Sequence, residues 1–408
     1  MPALVRAWPA LLLAGLLLVP TGNGWAQILF QYGEPVMTVR DAGQAKLVGG
    51  PQKGAPPLAI GDKVFLHEVH DGWATVEPAA PEALPISARR YRLPLTALAS
   101  QPGKTYAERP DWAPAPGDAT LAARDVLAYE DSPWIMVYDG AAKPRRIAKG
   151  TSPAVSPDGS LLAYTPAAGG GVSVVDLNGR AKPRHFAAKP PEVREIHFSR
   201  DGHRLAWRVD DRRPAEPNLG AYDRIEAVEL SQADPKPAVL AADLPVYDSF
   251  QGFTRDGTAL VLFAYDNDSS QVRWMGLDGK TLRQEPITAF TDKTLLSSAD
   301  QYRPSPGGDN LMLVESGVNP SPAMRPWLND TGEALFLYDA ASGTNYRLTP
   351  RSIVAVAPAW TPDGQRIYFA GLPEAPANGR HRLYRMNADG TGLTELGKGF
   401  GPSVGTRP

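Results

Sequence analysis

Few residues in this chain are equipped for acid–base or metal chemistry. Its 408 residues include six histidines, at 67, 70, 185, 197, 203 and 381, and no cysteine. The missing thiol removes disulfides, thiolate catalysis and thiolate metal sites together. His67-Glu68-Val69-His70 has the composition of a zinc helix, but that chemistry needs two imidazoles four residues apart on one helical face. Here they are three apart in an alternating run, which sends them to opposite faces of a strand. Gly276-Leu277-Asp278-Gly279-Lys280-Thr281 has the residue types of a phosphate loop, but with two residues between its glycines where that loop has four. Asp266-Asn267-Asp268 with Ser270 opens like a calcium loop. Gln271 and Leu277 then stand where such a loop has its glycine and its bidentate acid. No catalytic residue, no metal site and no cofactor is therefore expected.

What remains is suited to binding. Two polar stretches, residues 209–223 (VDDRRPAEPNLGAYD) and 315–333 (ESGVNPSPAMRPWLNDTGE), interrupt apolar runs. Long connections of this kind are usually functional or disordered. The first carries Asp210, Arg212 and Arg213 and the second Arg325 and Trp327, and Arg and Trp are the types that anchor protein interfaces. With the loop acids Asp266 and Asp268, these seven residues are the candidate partner-binding set.

The elements that must position them form a repeat. Ser156-Pro157-Asp158-Gly159 returns as Ser199-Arg200-Asp201-Gly202, Thr254-Arg255-Asp256-Gly257, Ser305-Pro306-Gly307-Gly308 and Thr361-Pro362-Asp363-Gly364, at intervals of 43 to 56 residues. A period of this size signals blades or solenoid units. Three residues after each glycine comes Leu162, Leu205, Leu260, Leu311 or Ile367, and two further on Tyr164, Trp207, Leu262, Leu313 or Phe369. Spacing of two puts both on one face of a strand, so each unit reads strand, tight turn, strand. Asp bonds nearby backbone in such a turn and Gly accepts positive φ. The changing second residue reads as tolerance within a structural hairpin, and Trp207 and Trp360 read as core between blades.

The first unit, from about residue 122, has the later strands (Ile135 to Gly140, then Arg145 to Ala148) but lacks an opening one. Residues 401–406 (GPSVGT) resemble the opening strands around Ala154 and Ala359, and the chain then stops. Open arrays leave exposed edges, so the C-terminal strand is expected to complete the first blade and close a six-bladed β-propeller. The repeating unit resembles the TolB-type propeller repeat of exported bacterial proteins. The best match is Pro358 to Leu372, then Leu383-Tyr384 and Leu393-Thr394. In related propellers that are enzymes, histidines act in the channel; His381 and His197 are the candidates for that position here.

Before the repeats, residues 27–106 hold short alternating runs near 36–39, 63–69, 74–76 and 91–95, with Asp71-Gly72 between the second and third. This resembles a bacterial SH3-like domain, with Trp73 in the tryptophan place and Tyr91-Arg92-Leu93-Pro94-Leu95 as the closing strand. The resemblance implies a small barrel used as a spacer or docking module. Residues 107–118, with Pro110, Pro114 and Pro116, read as a linker. Arg6, an apolar run over 10–19 and Gly24-Trp25-Ala26 read as an export signal over residues 1–26. No acylatable cysteine and no second apolar run of spanning length follow.

With 42 basic and 44 acidic residues, the net charge of −2 gives no footprint for nucleic acid. The whole is expected to be all-β: signal, SH3-like barrel, linker, and propeller over 119–408. It would be a soluble, monomeric, non-enzymatic periplasmic scaffold holding a cell-envelope protein or peptide, peptidoglycan-associated partners included. The alternatives are a wall- or polysaccharide-active enzyme and a periplasmic inhibitor.

Overall fold

The computed structural model describes residues 36–46, 48, 57–70, 72–78, 91–99, 124–140, 143–188, 193–210, 222–245, 248–265, 270–290, 300–306, 311–318, 332–340, 344–350, 352–373 and 380–408. The export signal and the linker read from the sequence lie outside these residues.

Five strands precede residue 100: Val36–Val39, Lys63–His70, Trp73–Pro78, Tyr91–Pro94 and Leu98–Ala99. They form one sheet in the order fourth, third, second, first, fifth. Alternation builds its core, since Met37, Val39, Val64, Leu66, Ala74, Val76 and Leu93 share one buried cluster. Arg92, between buried Tyr91 and Leu93, faces out over the Trp73 ring at 5.5 Å. Trp73 is an exposed residue of this sheet. His67 and His70 fall within the strand Lys63–His70, as their spacing implied.

From residue 125 the chain forms a six-bladed propeller. Four separate four-stranded sheets follow one another in chain order, and a seven-stranded sheet supplies the other two blades. The strand Arg145–Val155 is the outer edge of the first blade through its first half, where Trp134 pairs with Lys149. Its second half is the inner strand of the second blade, where Ala154 pairs with Ala163. Gly150 stands at the change-over; a Cβ there would sit 2.3 Å from the Thr165 carbonyl oxygen, so only glycine lets the two blades share one strand.

The innermost strands are Phe400–Thr406, the second half of Arg145–Val155, Val193–Phe198, Ser249–Phe253, Gln301–Pro304 and Ile353–Trp360. The first of these pairs with Asp125–Asp131, with Ser403 opposite Ala128 and Val404 opposite Leu127. The C-terminal strand therefore completes the first blade, as the paired shortages in the sequence require. Asp125 locks the closure. Fully buried, it accepts from Arg366 Nε and Nη2 at 3.0 and 2.9 Å, from Tyr368 Oη at 2.6 Å and from Thr406 Oγ1 at 3.2 Å.

Blades pack through the side chains the spacing selected. Leu205 and Trp207 are fully buried, and Trp207 stacks on Phe186 of the preceding blade at 6.1 Å. The fifth blade departs from the pattern. Ser305 N bonds Leu311 O six residues on, whereas Ser156, Ser199, Thr254 and Thr361 bond a carbonyl five residues on. One extra residue shifts the core positions there to Met312 and Val314, and leaves Leu311 half-buried.

Candidate functional site

The channel has two ends, and each innermost strand runs from one to the other. At one end sit the repeated turns. Ser156 Oγ donates to Asp158 Oδ1 at 2.6 Å and accepts from Leu161 N at 2.8 Å, while Asp158 accepts from Ser160 N at 3.0 Å. Ser199/Asp201, Thr254/Asp256 and Thr361/Asp363 repeat this arrangement, with hydroxyl-to-carboxylate distances of 2.6, 2.6 and 2.5 Å. The hydroxyl and then the backbone N–H hold the Asp201 and Asp256 carboxyls below the usual range. At Asp158 and Asp363 burial acts the other way and the hydrogen bonds outweigh it. These carboxylates are therefore structural, each engaged within its own turn.

The residue between hydroxyl and carboxylate behaves differently. Pro157, Arg200, Arg255, Pro306 and Pro362 all line one cavity of about 200 Å³ on the axis of the ring. Its wall also has His197, Gln251, Arg303 and Ser403, with the apolar Phe198, Phe253 and Trp360. Among the described residues the lining holds three arginines and no acid. Arg200 reaches across the mouth, from the third blade to the fifth, and donates from Nη1 to the Pro306 carbonyl. Arg303 donates to Gln301 Oε1 at 2.8 and 2.6 Å. Burial lowers its pKa, and Glu315 and Glu195 oppose that shift.

His197 Nε2 lies 3.0 Å from the Phe250 carbonyl. That oxygen only accepts, so Nε2 carries the proton. Burial, reinforced by Arg303, drives the His197 pKa down to about 3. The imidazole is neutral and occupied as a donor. His381 lies instead just before the strand Arg382–Asn387 of the sixth blade, edge-on to Phe400 at 5.0 Å, and is not part of the cavity lining.

Gly401-Pro402-Ser403-Val404-Gly405 spells the Gly-x-Ser-x-Gly of a nucleophile elbow, which needs a strand–turn–helix setting. It lies within the closing strand Phe400–Thr406, and Ser403 Oγ accepts from Val155 N at 2.9 Å. No imidazole or carboxylate is bonded to Ser403 among the described residues. The glycines serve packing, since a Cβ at Gly405 would meet the Ser156 carbonyl oxygen at 2.2 Å.

Buried charge gathers toward the other end. Glu195 Oε2 accepts from Phe250 N at 2.7 Å and pairs with Arg208 Nε at 3.1 Å, and Arg208 lies 3.2 Å from Asp223. Asp248 accepts from Tyr265 N at 3.2 Å and faces Arg273 at 4.0 Å. Glu315 accepts from Ala357 N at 2.9 Å and Glu130 from Ser152 N at 2.7 Å. Ser152, Glu195 and Ala357 have φ of 55°, 50° and 53°, at breaks in inner-strand register. The Glu130 and Glu315 carboxylates thus pin bulged N–H groups of the next blade. Burial raises the pKa of Glu130, Glu195, Asp223 and Glu315, and brings Asp248 up to about 6.

Of the sequence candidates, Asp210 ends the strand Arg204–Asp210 opposite Asp223, at this charged end. Arg212, Arg213, Arg325, Trp327, Asp266 and Asp268 lie outside the described residues. Their connections leave from and return to described strands: Arg204–Asp210 to Tyr222–Glu229, Ala259–Ala264 to Gln271–Gly276, and Leu311–Val318 to Gly332–Asp339. All three join second to third strands, in the third, fourth and fifth blades. Arg200 and Arg255 were not among the candidates, although a change from Pro to Arg at one repeat position in adjacent blades was visible. Among the described residues no group of three or more His, Asp and Glu is placed to hold a metal, and no helix is long and apolar enough to cross a membrane.

No family model matches the chain, and no curated protein does. Among solved structures it is similar to TolB from Acinetobacter baumannii, with 16% identity, 84% of this chain and 81% of that one covered, and a TM-score of 0.49. A putative TolB from Agrobacterium tumefaciens gives 15% identity, 71% and 100% coverage, and 0.45. An acylaminoacyl peptidase from Pyrococcus horikoshii gives 15% identity, 67% and 44% coverage, and 0.40. With scores below 0.5, the propeller rests on its own strand order and closure.

Proposed function

We propose that the chain is an exported, non-enzymatic scaffold of the bacterial periplasm that holds a protein or peptide partner against a propeller face. The single observation that supports this best is the preformed axial cavity, which carries arginine, aromatic and proline side chains and whose one histidine is already engaged. Rigid, preformed surfaces lower the ordering cost of binding. In this reading residues 1–26 are the export signal, 27–106 an SH3-like docking module, 107–118 a linker and 119–408 the partner-binding propeller. The enzyme alternative has no specific observation in its favour. His381 stands off the cavity, and His197 donates to a main-chain carbonyl.

The test is affinity capture from envelope extract, followed by titration of the captured partner, purified, against the purified protein. Saturable one-to-one binding, with cross-links to one end of the channel, supports the reading. Capture with no saturable binding on re-titration overturns it. Cell fractionation with mass measurement of the mature N-terminus tests the export signal, with cleavage before Gln27 expected.

A further inference from the structure

We infer that the turn end of the channel is a carboxylate-binding socket, with Arg200 as its latch, that takes one acidic residue or the C-terminus of an extended peptide. The inference rests on the binding reading above and names the chemistry of the ligand.

The charge on the wall is one-sided. Among the described residues, Arg200, Arg255 and Arg303 line the cavity and no Asp or Glu does. The four turn aspartates are ionised, but none is in the lining, and each carboxylate is turned onto a hydroxyl and an N–H of its own turn. Arg255 is exposed and makes no hydrogen bond or ion pair among the described residues. It is therefore a cation without a counter-ion at the rim of a concave site. Among the described residues Arg200 is bonded only to a neutral carbonyl, Pro306 O, on the far side of the mouth. A carboxylate is the better acceptor for a guanidinium, by roughly a factor of two in hydrogen-bond strength. An entering carboxylate would take Arg200 from Pro306 and open the mouth as it binds.

Size and shape select the rest of the ligand. A cavity of about 200 Å³ is smaller than the roughly 300–1,000 Å³ of sites for drug-sized molecules, and suits one residue with the chain leading away. The same lining carries Trp360, Phe198, Phe253 and Val404, which would cover an apolar neighbour of the acid. An oligosaccharide would need a wall of paired donors and acceptors. This wall is dominated by three arginines, prolines and aromatic or aliphatic side chains.

The probes are N-acetyl-leucyl-leucine with a free C-terminus, the same peptide amidated, N-acetyl-glutamyl-leucinamide, and trigalacturonate. Binding is read by ligand-observed NMR on the full-length mature protein. One or both acids are expected to bind at least about tenfold tighter than the neutral amide, and more weakly as salt rises; which acid wins separates a C-terminal from a side-chain ligand. Arg255→Gln, with Arg200→Gln in a second variant, should abolish that preference while the melting temperature stays unchanged. Equal binding of acid and amide, undiminished acid binding in the double variant, or no peptide binding at millimolar concentration overturns the socket. So does a preference for trigalacturonate over both acids. If the double variant loses the acid peptides but still binds the captured envelope partner, the scaffold function stands with its contact elsewhere. Loss of both places the partner's carboxylate in the socket.

Discussion

At the turn end of the channel, four of the six blades offer the same hairpin, held from within by its own hydroxyl and carboxylate, and its second residue varies. At the opposite end the hairpins give way to connections of unequal length; beneath them Glu195, Arg208 and Asp223 pair within the third blade, and Glu195 and Glu315 also hold main-chain N–H groups of the following blade. The first end is regular backbone carrying variable side chains. The second is variable backbone standing on a fixed ionic network. At the turn end the change from Pro to Arg falls in the third and fourth blades; at the other end the longest connections between second and third strands, after Asp210 and after Val318, belong to the third and fifth.

The comparison depends first on the ring being closed. Removing residues 401–408 deletes the first blade's inner strand and one wall of the cavity. Stability in urea should fall by several kcal/mol, on the order expected for a buried strand's apolar contacts; an unchanged midpoint would mean that the closure carries no energy. Asp125→Ala leaves Arg366 and Tyr368 facing an empty buried site. A loss of about 3 kcal/mol is expected from breaking a buried ion pair, read from the same urea curves.

The two ends should also answer pH with opposite signs. Asp248, near the loop end, has its pKa raised by burial to about 6. Its contribution to stability is full below about pH 4 and is lost as pH rises through the folded value. Asp248→Asn should therefore gain on the wild type at pH 7 and not at pH 4. His197, toward the turn end, is lowered to about 3. Its contribution is present above about pH 6.5 and is lost as pH falls toward the folded value. His197→Gln should flatten that acid limb. Slopes of the same sign in urea melts from pH 4 to 8 would erase this difference between the ends.

Smaller effects separate structural from functional residues. Thr361→Ala removes a hydroxyl that serves both Asp363 and Arg366 N, and should cost about 1 kcal/mol without altering ligand preference. The Arg212, Arg325 and Trp327 triple alanine variant should leave the melting temperature within a degree or so and test whether the loop end contributes to partner binding. If partner affinity is also unchanged, the turn end alone does the work.

Much of this architecture was legible in the sequence because it depends on local rules. The tetrapeptide turn needs Asp for its N–H partners and Gly for positive φ, so its recurrence declares the blade count, and the missing first strand declares the closure. The same local rules dismissed the zinc and phosphate spellings. They did not show that the register of the fifth blade slips by one residue, since an added residue within a turn leaves the apolar pattern plausible either way. They did not show that the first two blades share the strand Arg145–Val155, which only the pairing on both its edges reveals. The binding candidates divide in the same way. The sequence drew attention to long connections because length is visible along the chain. It set aside Arg200 and Arg255 because they sit inside a conserved-looking turn. Which way the second turn residue points, and that five such residues from five blades meet around one cavity, follows only from closing the ring. By itself the sequence determined the unit, its turn and its number. The tertiary structure decided which of the unit's few variable positions face one another, because that depends on contacts between residues some fifty or a hundred apart in the chain.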